Sequence, residues 1–339
     1  MTSRPLTFVV GTGRCGSTAL SRIMRLHPHV LSLSELVAAA EPGAFPEEPL
    51  TGEEFWRLLA TPRPFANRLL RDGMRLPEYV YSDSTGRFTT RDGGIPAISM
   101  MTLPHLTDDP DELFDALAAT LSARPRGPVA DHYRALFDVL AGRFGSLAVA
   151  ERSGYSLRSV PRLRELFPEA RFVHLHRDGA DCALSMSRHL GFRLIQLMRD
   201  QAVAVPDADA GGGADVPADL EALLSDDEAD LRPLMERPVP VAEFGKLWSE
   251  AVIEGVAHLD ALPAEIRVSL SYEDLLDAPD RELTRLARHL GVEPLPEWLA
   301  AGRALLDGGR RGATASLAPE ELAELRESCE PGAKALGRV

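Results

Sequence analysis

A short apolar segment, Leu6-Thr-Phe-Val-Val10, runs straight into Gly11-Thr-Gly-Arg-Cys-Gly-Ser-Thr18. A helix-periodic stretch, Ala19-Leu-Ser-Arg-Ile-Met-Arg-Leu26, follows and is closed by His27-Pro28. The order is strand, glycine loop, helix, stop. Such a unit belongs to α/β folds and places backbone N–H groups and a helix N-terminus at the end of a strand. Two phosphate-binding patterns overlap on it. Gly11-x-Gly13-x-x-Gly16 fits the dinucleotide fingerprint, with Glu35 about 20 residues on as a ribose-binding candidate. The same residues fit a P-loop frame, except that Ser17 stands where the lysine belongs. Arg14 brings the positive charge instead, and its fork suits a phosphate or sulfate. A missing lysine argues against a β,γ-triphosphate, and an arginine this early would crowd an NAD pyrophosphate. An anionic nucleotide of another kind fits better.

The rest of the chain repeats the alternation. Residues 30–33, 146–151, 171–176 and 266–270 read as strands, and residues 159–167, 178–190, 242–259 and 281–290 as helices. Asp178 is a candidate cap, and Gly291 a stop. Strands alternating with helices imply a parallel sheet covered on both faces. Residues 41–130, rich in Pro and Gly, read as a helical insertion or cap. Residues 203–231 hold nine acidic and no basic side chains. They are expected to form a mobile loop or a lid, within a variable region over 200–240.

A second phosphate site is expected at Arg177, which follows the strand at 171–176 and precedes a helix carrying Ser185. Ligands of open α/β sheets bind at the carboxyl ends of strands. Two anion donors far from the glycine loop imply a second anionic group on one nucleotide. The plain alternative is an ion pair between Arg177 and Asp178 or Asp181.

These residues together resemble the PAPS-dependent sulfotransferases (PAPS is 3′-phosphoadenosine 5′-phosphosulfate). Phe8-Val-Val-Gly-Thr-Gly-Arg-Cys-Gly-Ser-Thr18 is similar to that family's 5′-phosphosulfate loop, in the arginine form of its bacterial and Golgi-type members. Residues 167–181, ending in His174-Leu-His-Arg-Asp-Gly-Ala-Asp181, resemble its 3′-phosphate segment. Ser271-Tyr-Glu-Asp-Leu-Leu276 resembles a third shared block. The resemblance implies a P-loop-like three-layer fold with a central parallel sheet and helical insertions, one domain over 1–339. It implies PAPS as donor, PAP as product, and in-line sulfuryl transfer to a hydroxyl, less readily an amine, of a small molecule. Arg14, Cys15, Gly16, Ser17 and Thr18 then hold the 5′ end. Arg177 and Ser185 take the 3′-phosphate, and Tyr272 lies near the adenine. Arg311 and Gly312 loosely echo a late basic loop that closes over the nucleotide.

Glu35 is the first candidate for general base, since a segment like 27–35 carries a glutamate base in Golgi-type members. The alternative is that Glu35 caps a helix over 36–40. His105 and His132 are other candidate bases. Arg152 is expected near the transferred group, or else paired with Glu151. Cys15 is not expected to be a nucleophile. An NAD(P)-binding oxidoreductase, a nucleotide kinase and a non-catalytic PAP-binding protein are the competing readings.

Composition narrows the partners. The 339 residues carry 37 basic and 51 acidic side chains, a formal charge of −14. An acidic surface repels nucleic-acid backbones, so no nucleic acid is expected. Three scattered cysteines, Cys15, Cys182 and Cys329, form no zinc motif, and no metal is expected. No apolar run nears the roughly 20 residues of a membrane span. A cytoplasmic enzyme acting on a small metabolite, in the manner of secondary metabolism, is the expectation.

Overall fold

The computed structural model describes residues 4–81, 86–204 and 230–338. Five strands, β1 (Leu6–Val10), β2 (Val30–Ser34), β3 (Ala148–Arg152), β4 (Arg171–His176) and β5 (Arg267–Ser271), form one parallel sheet in the order β2-β3-β1-β4-β5. The registers set Val9 opposite Arg152, Ser34 opposite Arg152, and His176 opposite Ser271. Val9 also lies opposite Val173, so β2 and β3 end level with each other while β4 and β5 run three residues further. In the dinucleotide-binding order β1 lies beside β2. Here β3 separates them, so the oxidoreductase alternative loses its scaffold. The expected fold class, α/β and P-loop-like with a central parallel sheet, is the one observed.

Side chains alternate across β1 because successive Cβ atoms point to opposite faces. Leu6, Phe8 and Val10 enter one core and Val9 the other. The first core is closed by α3 (Gly52–Ala60), α6 (Pro110–Ser122), α7 (Val129–Arg143) and α8 (Val160–Leu166). The second is closed by α1 (Ser17–Arg25), α9 (Gly179–Ser187) and the helices Val241–Asp260, Pro279–Leu290 and Pro319–Ala335. Each buried Leu or Phe contributes about 1.5–3 kcal/mol, so two continuous cores hold the sheet rigidly from both sides.

Within residues 41–130 lie α3, α4 (Pro64–Arg71), α5 (Ala97–Met101) and α6; the described part adds no strand to the sheet. The acidic run at 205–229 lies outside the described residues. One expected helix is broken. Residues 178–190 divide into α9 and α10 (Leu190–Ala204). Between them the His189 N–H turns back to Met186 O at 2.9 Å, which aims the His189 ring at Glu78. Asp178 caps α9 as expected, accepting from the Asp181 N–H at 2.9 Å. Gly291, at φ 82°, stops its helix as expected.

Candidate functional site

Every strand delivers a site residue at its carboxyl end. Glu35 follows β2, Arg152 ends β3, Arg14 lies in the loop after β1, Arg177 follows β4 and Tyr272 follows β5. All five line one cavity of about 430 Å³, together with Gly16, Ser17, Thr18 and Ser185. Strands sit about 4.8 Å apart, so Glu35 and Tyr272, at opposite edges, are separated by roughly 19 Å of sheet. Across it the order is Glu35, Arg152, Arg14, Arg177, Tyr272.

The glycine loop forms the floor. Gly13 and Gly16 have φ of 72° and 94°, conformations that suit residues without Cβ. A Cβ on Gly13 would meet the Phe192 ring at 2.6 Å, and one on Gly16 the Tyr272 ring at 2.3 Å. Both rings therefore pack on bare backbone. Gly16 starts α1 without any side-chain cap. The first turn of α1, with Ser17 and Thr18, keeps its donors and its partial positive charge for a ligand. Arg14 Nε donates to Ser185 Oγ at 3.2 Å, tying the loop to α9. Cys15 is buried under the loop, where burial pushes its thiol up to about 11. A thiol that stays protonated is no nucleophile.

The Glu35 end is buried and polar. Glu35 sits at the N-cap position of α2 (Leu36–Ala40) with φ 57°, yet its side chain makes no capping bond. Its carboxylate accepts from the Arg152 guanidinium and from the Gly154 N–H at 2.9 Å. The capping alternative for Glu35 is thereby corrected. So is the pairing of Arg152 with Glu151: Arg152 pairs with Glu35 and donates through Nε to Ser21 Oγ at 2.8 Å. Glu151 takes the capping work instead. It accepts from Ser153 Oγ at 2.6 Å and the Val37 N–H at 3.3 Å. Burial pushes its carboxyl up to about 7.

At the other end Arg177 pairs with Asp181 at 3.0 Å and stands over the Tyr272 ring, 5.3 Å from its centroid. Tyr272 is fixed by its hydroxyl, which donates to Asp307 O at 3.2 Å. The ion pair expected as the plain alternative for Arg177 therefore exists, within the cavity wall. Asp181 also accepts from the Gly312 N–H at 2.9 Å and the Thr314 N–H at 3.3 Å, which moors the late glycine segment. Arg311 and Gly312 do not line the cavity; Arg311 is exposed and paired with Asp277 at 2.6 Å. His132 is buried on Phe55, with Nε2 2.7 Å from Leu50 O, and His105 is half-buried; neither lines the cavity.

Arg22, Glu78 and His189 are among the cavity residues that escape a sequence reading. Arg22 lies one helical turn beyond Thr18, and that spacing would have found it. Glu78 and His189 have no local signal, because the structure joins them across 111 positions of sequence. Positive φ does mark the site. Among the described residues only Arg14, Glu35 and Tyr155 hold it without being glycine, and all three line the cavity. Among the described residues no group of His, Cys, Asp and Glu side chains is arranged to hold a metal ion, and no helix is long and apolar enough to cross a membrane.

Among solved structures, the chain is similar to a sulfotransferase domain from the Synechococcus PCC 7002 olefin synthase, at 17% identity and TM-score 0.45, covering 96% of this chain and 94% of that one. It is similar to a sulfotransferase domain from the curacin biosynthetic pathway at 14% identity and TM-score 0.49, covering 99% and 98%. A sulfotransferase from Alicyclobacillus acidocaldarius matches at 16% identity and TM-score 0.40, covering 99% and 95%. No curated protein matches. The model of the sulfotransferase family matches residues 5–210, more than half of the sequence and all of it from β1 through α10. The chain belongs to the sulfotransferase family.

Proposed function

We propose that this sulfotransferase moves a sulfuryl group from PAPS to the hydroxyl of a small-molecule acceptor by in-line displacement. One observation carries the reading. Across the sheet the cavity offers a buried carboxylate, then two arginines, then a third arginine against a tyrosine ring. That order matches an acceptor hydroxyl, a sulfuryl group with its 5′-phosphate, a 3′-phosphate and a base. The uncapped first turn of α1, with Ser17 and Thr18 on the cavity wall, fits an anionic group at a helix N-terminus.

PAPS, when bound, supplies the sulfuryl group and departs as PAP. Arg14, Ser17, Thr18 and the α1 dipole hold the 5′-anion, a pre-organised set of donors of the kind that stabilises developing charge. Arg177 and Ser185 hold the 3′-phosphate, and Tyr272 faces the adenine. Glu35 is the general base. A carboxylate has about four acceptor sites, and Arg152 and the Gly154 N–H occupy two. The remaining lone pairs can take the acceptor's proton. Arg152, between Glu35 and Arg14 in the sheet order, keeps a positive charge beside the path of the group.

Calorimetric titration with PAP, AMP, NAD⁺ and Mg-ATP tests the donor. PAP binding that AMP, NAD⁺ and ATP do not reproduce is expected, and NAD(P) binding without PAP binding overturns the reading. Glu35→Gln should lower PAP release from PAPS, assayed with a panel of phenols and alcohols, by about 10²–10⁴-fold while PAP affinity stays. Unchanged turnover rejects Glu35 as base. PAP binding with no turnover for any acceptor favours a non-catalytic role.

A further inference from the structure

Arg14 already has an anionic partner inside the cavity. A terminal nitrogen of its guanidinium lies 3.5 Å from Glu78 Oε1. The other carboxylate oxygen, Oε2, lies 3.1 Å from His189 Nε2. Both residues line the same cavity as the glycine loop. Glu78 is not part of the sheet; it comes from the segment between α4 and α5. Burial alone would raise its pKa. The hydrogen bond and charge of His189 and the charge of Arg14 outweigh that and hold it below the ordinary glutamate range. A ligand anion on Arg14 would therefore meet a carboxylate held in its charged form, and like charges at such range oppose each other.

We propose that Glu78 is a removable counter-ion: it neutralises Arg14 until the 5′-anion of the donor takes its place, and His189 receives it. This rests on the donor reading given above. Three features support displacement rather than shared binding. The Arg14 contact, at 3.5 Å, is longer than the His189 contact, at 3.1 Å. Arg14 is separately anchored through Nε to Ser185, so its guanidinium stays in place when Glu78 leaves. His189 is buried, and its ring is braced edge-on against Phe192, with centroids 5.5 Å apart. The segment of Glu78 also brings Leu76 and Tyr79 into the cavity wall, so its shift couples donor binding to the shape of that wall.

The test compares PAP with adenosine 3′-phosphate, which lacks the 5′-anion, on wild type, Glu78→Gln and His189→Gln by calorimetry. Glu78→Gln should tighten PAP roughly tenfold, which is about 1.4 kcal/mol, and leave adenosine 3′-phosphate within about twofold. His189→Gln should weaken PAP by about threefold, because Glu78 is then left with Arg14 alone. Opposite signs for the two variants are the signature; a purely structural pair would lose affinity in both. Should Glu78→Gln fail to fold, Glu78→Asp, with its shorter reach to Arg14, must also tighten PAP. Unchanged or weaker PAP binding in the Glu78 variants overturns the proposal, as does an equal gain for adenosine 3′-phosphate. A wild type that binds neither nucleotide overturns the donor reading and the counter-ion with it.

Discussion

Gly16 concentrates the residue-scale demands of the site. Its φ of 94° is costly for any side chain, and its missing Cβ leaves room for a tyrosine ring that the Asp307 carbonyl holds from the far side. Gly16→Ala should therefore destabilise the fold by about 1–3 kcal/mol in urea denaturation. Adding Tyr272→Ala removes the clash but not the backbone strain. Partial recovery in the double variant is expected, and none would mean that the φ alone sets the cost. Glu35 and Arg152 make the other residue-scale case. Both are nearly fully buried and depend on each other for charge compensation. Breaking such a pair costs about 3–5 kcal/mol. Arg152→Ala should fall in that range, and the Glu35→Gln/Arg152→Ala double variant should cost less than the two single changes together. Additive costs would deny the coupling.

At the scale of elements, α2 is five residues long and too short to stand on its own propensity. Its first turn is held from β3 and the residues just past it: the Val37 N–H reaches Glu151, and the Ala38 N–H reaches Ser153 Oγ at 3.1 Å. Ser153→Ala should cost about 1–2 kcal/mol, the worth of a lost cap. It should lower kcat while PAP affinity stays, because the donor residues lie in the segments that follow β1, β4 and β5; a loss of PAP affinity without a fall in kcat would contradict this. Elements of this kind mark where the sequence stops being legible. The units β1-loop-α1 and β4-α9 are contiguous, so their strand runs, glycines and caps reveal them and put Arg14, Arg177 and Ser185 in place. Tyr272 and Arg152 are legible as strand-end residues for the same reason. The partner of Arg152 is not: its sequence neighbour Glu151 points to the other face of β3, and the β2-β3 register, with Ser34 opposite Arg152, is what brings Glu35 to it. Glu78 is hidden for a stronger reason. It sits in an irregular segment whose place is set by packing, and its contacts lie 64 and 111 residues away in sequence. The break after Ser187 is hidden in the same way, since the ring of His189 that it places meets Glu78 across 111 residues.

For the whole molecule, buried histidines set how stability follows pH. His174 is held down to about 3, and His105, His176 and His289 to about 4, in each case by burial first and by neighbouring cations after it. Unfolded histidine protonates near 6.5. Between pH 6.5 and 4 the unfolded chain therefore takes up protons at these four rings that the folded chain refuses, and stability must fall as pH falls. Glu151 works in the opposite direction. Its folded pKa of about 7 lies above the unfolded value, so the stability it contributes is present at low pH and is lost as pH rises from 4.5 through 7. Burial also lowers His27 and raises Glu41, so five histidines oppose two glutamates, and the histidines prevail. The melting temperature should be highest near neutrality and drop steadily from pH 6.5 to 4.5. His174 offers the sharpest check, since it is buried on β4 and its Nε2 has no hydrogen-bond partner among the described residues. His174→Leu should flatten the acid limb and leave the melting temperature at pH 7.5 little changed, because no hydrogen bond to Nε2 is lost. A melting temperature that stays level or rises down to pH 5 would place the balance with Glu151 and the shedding of excess negative charge instead.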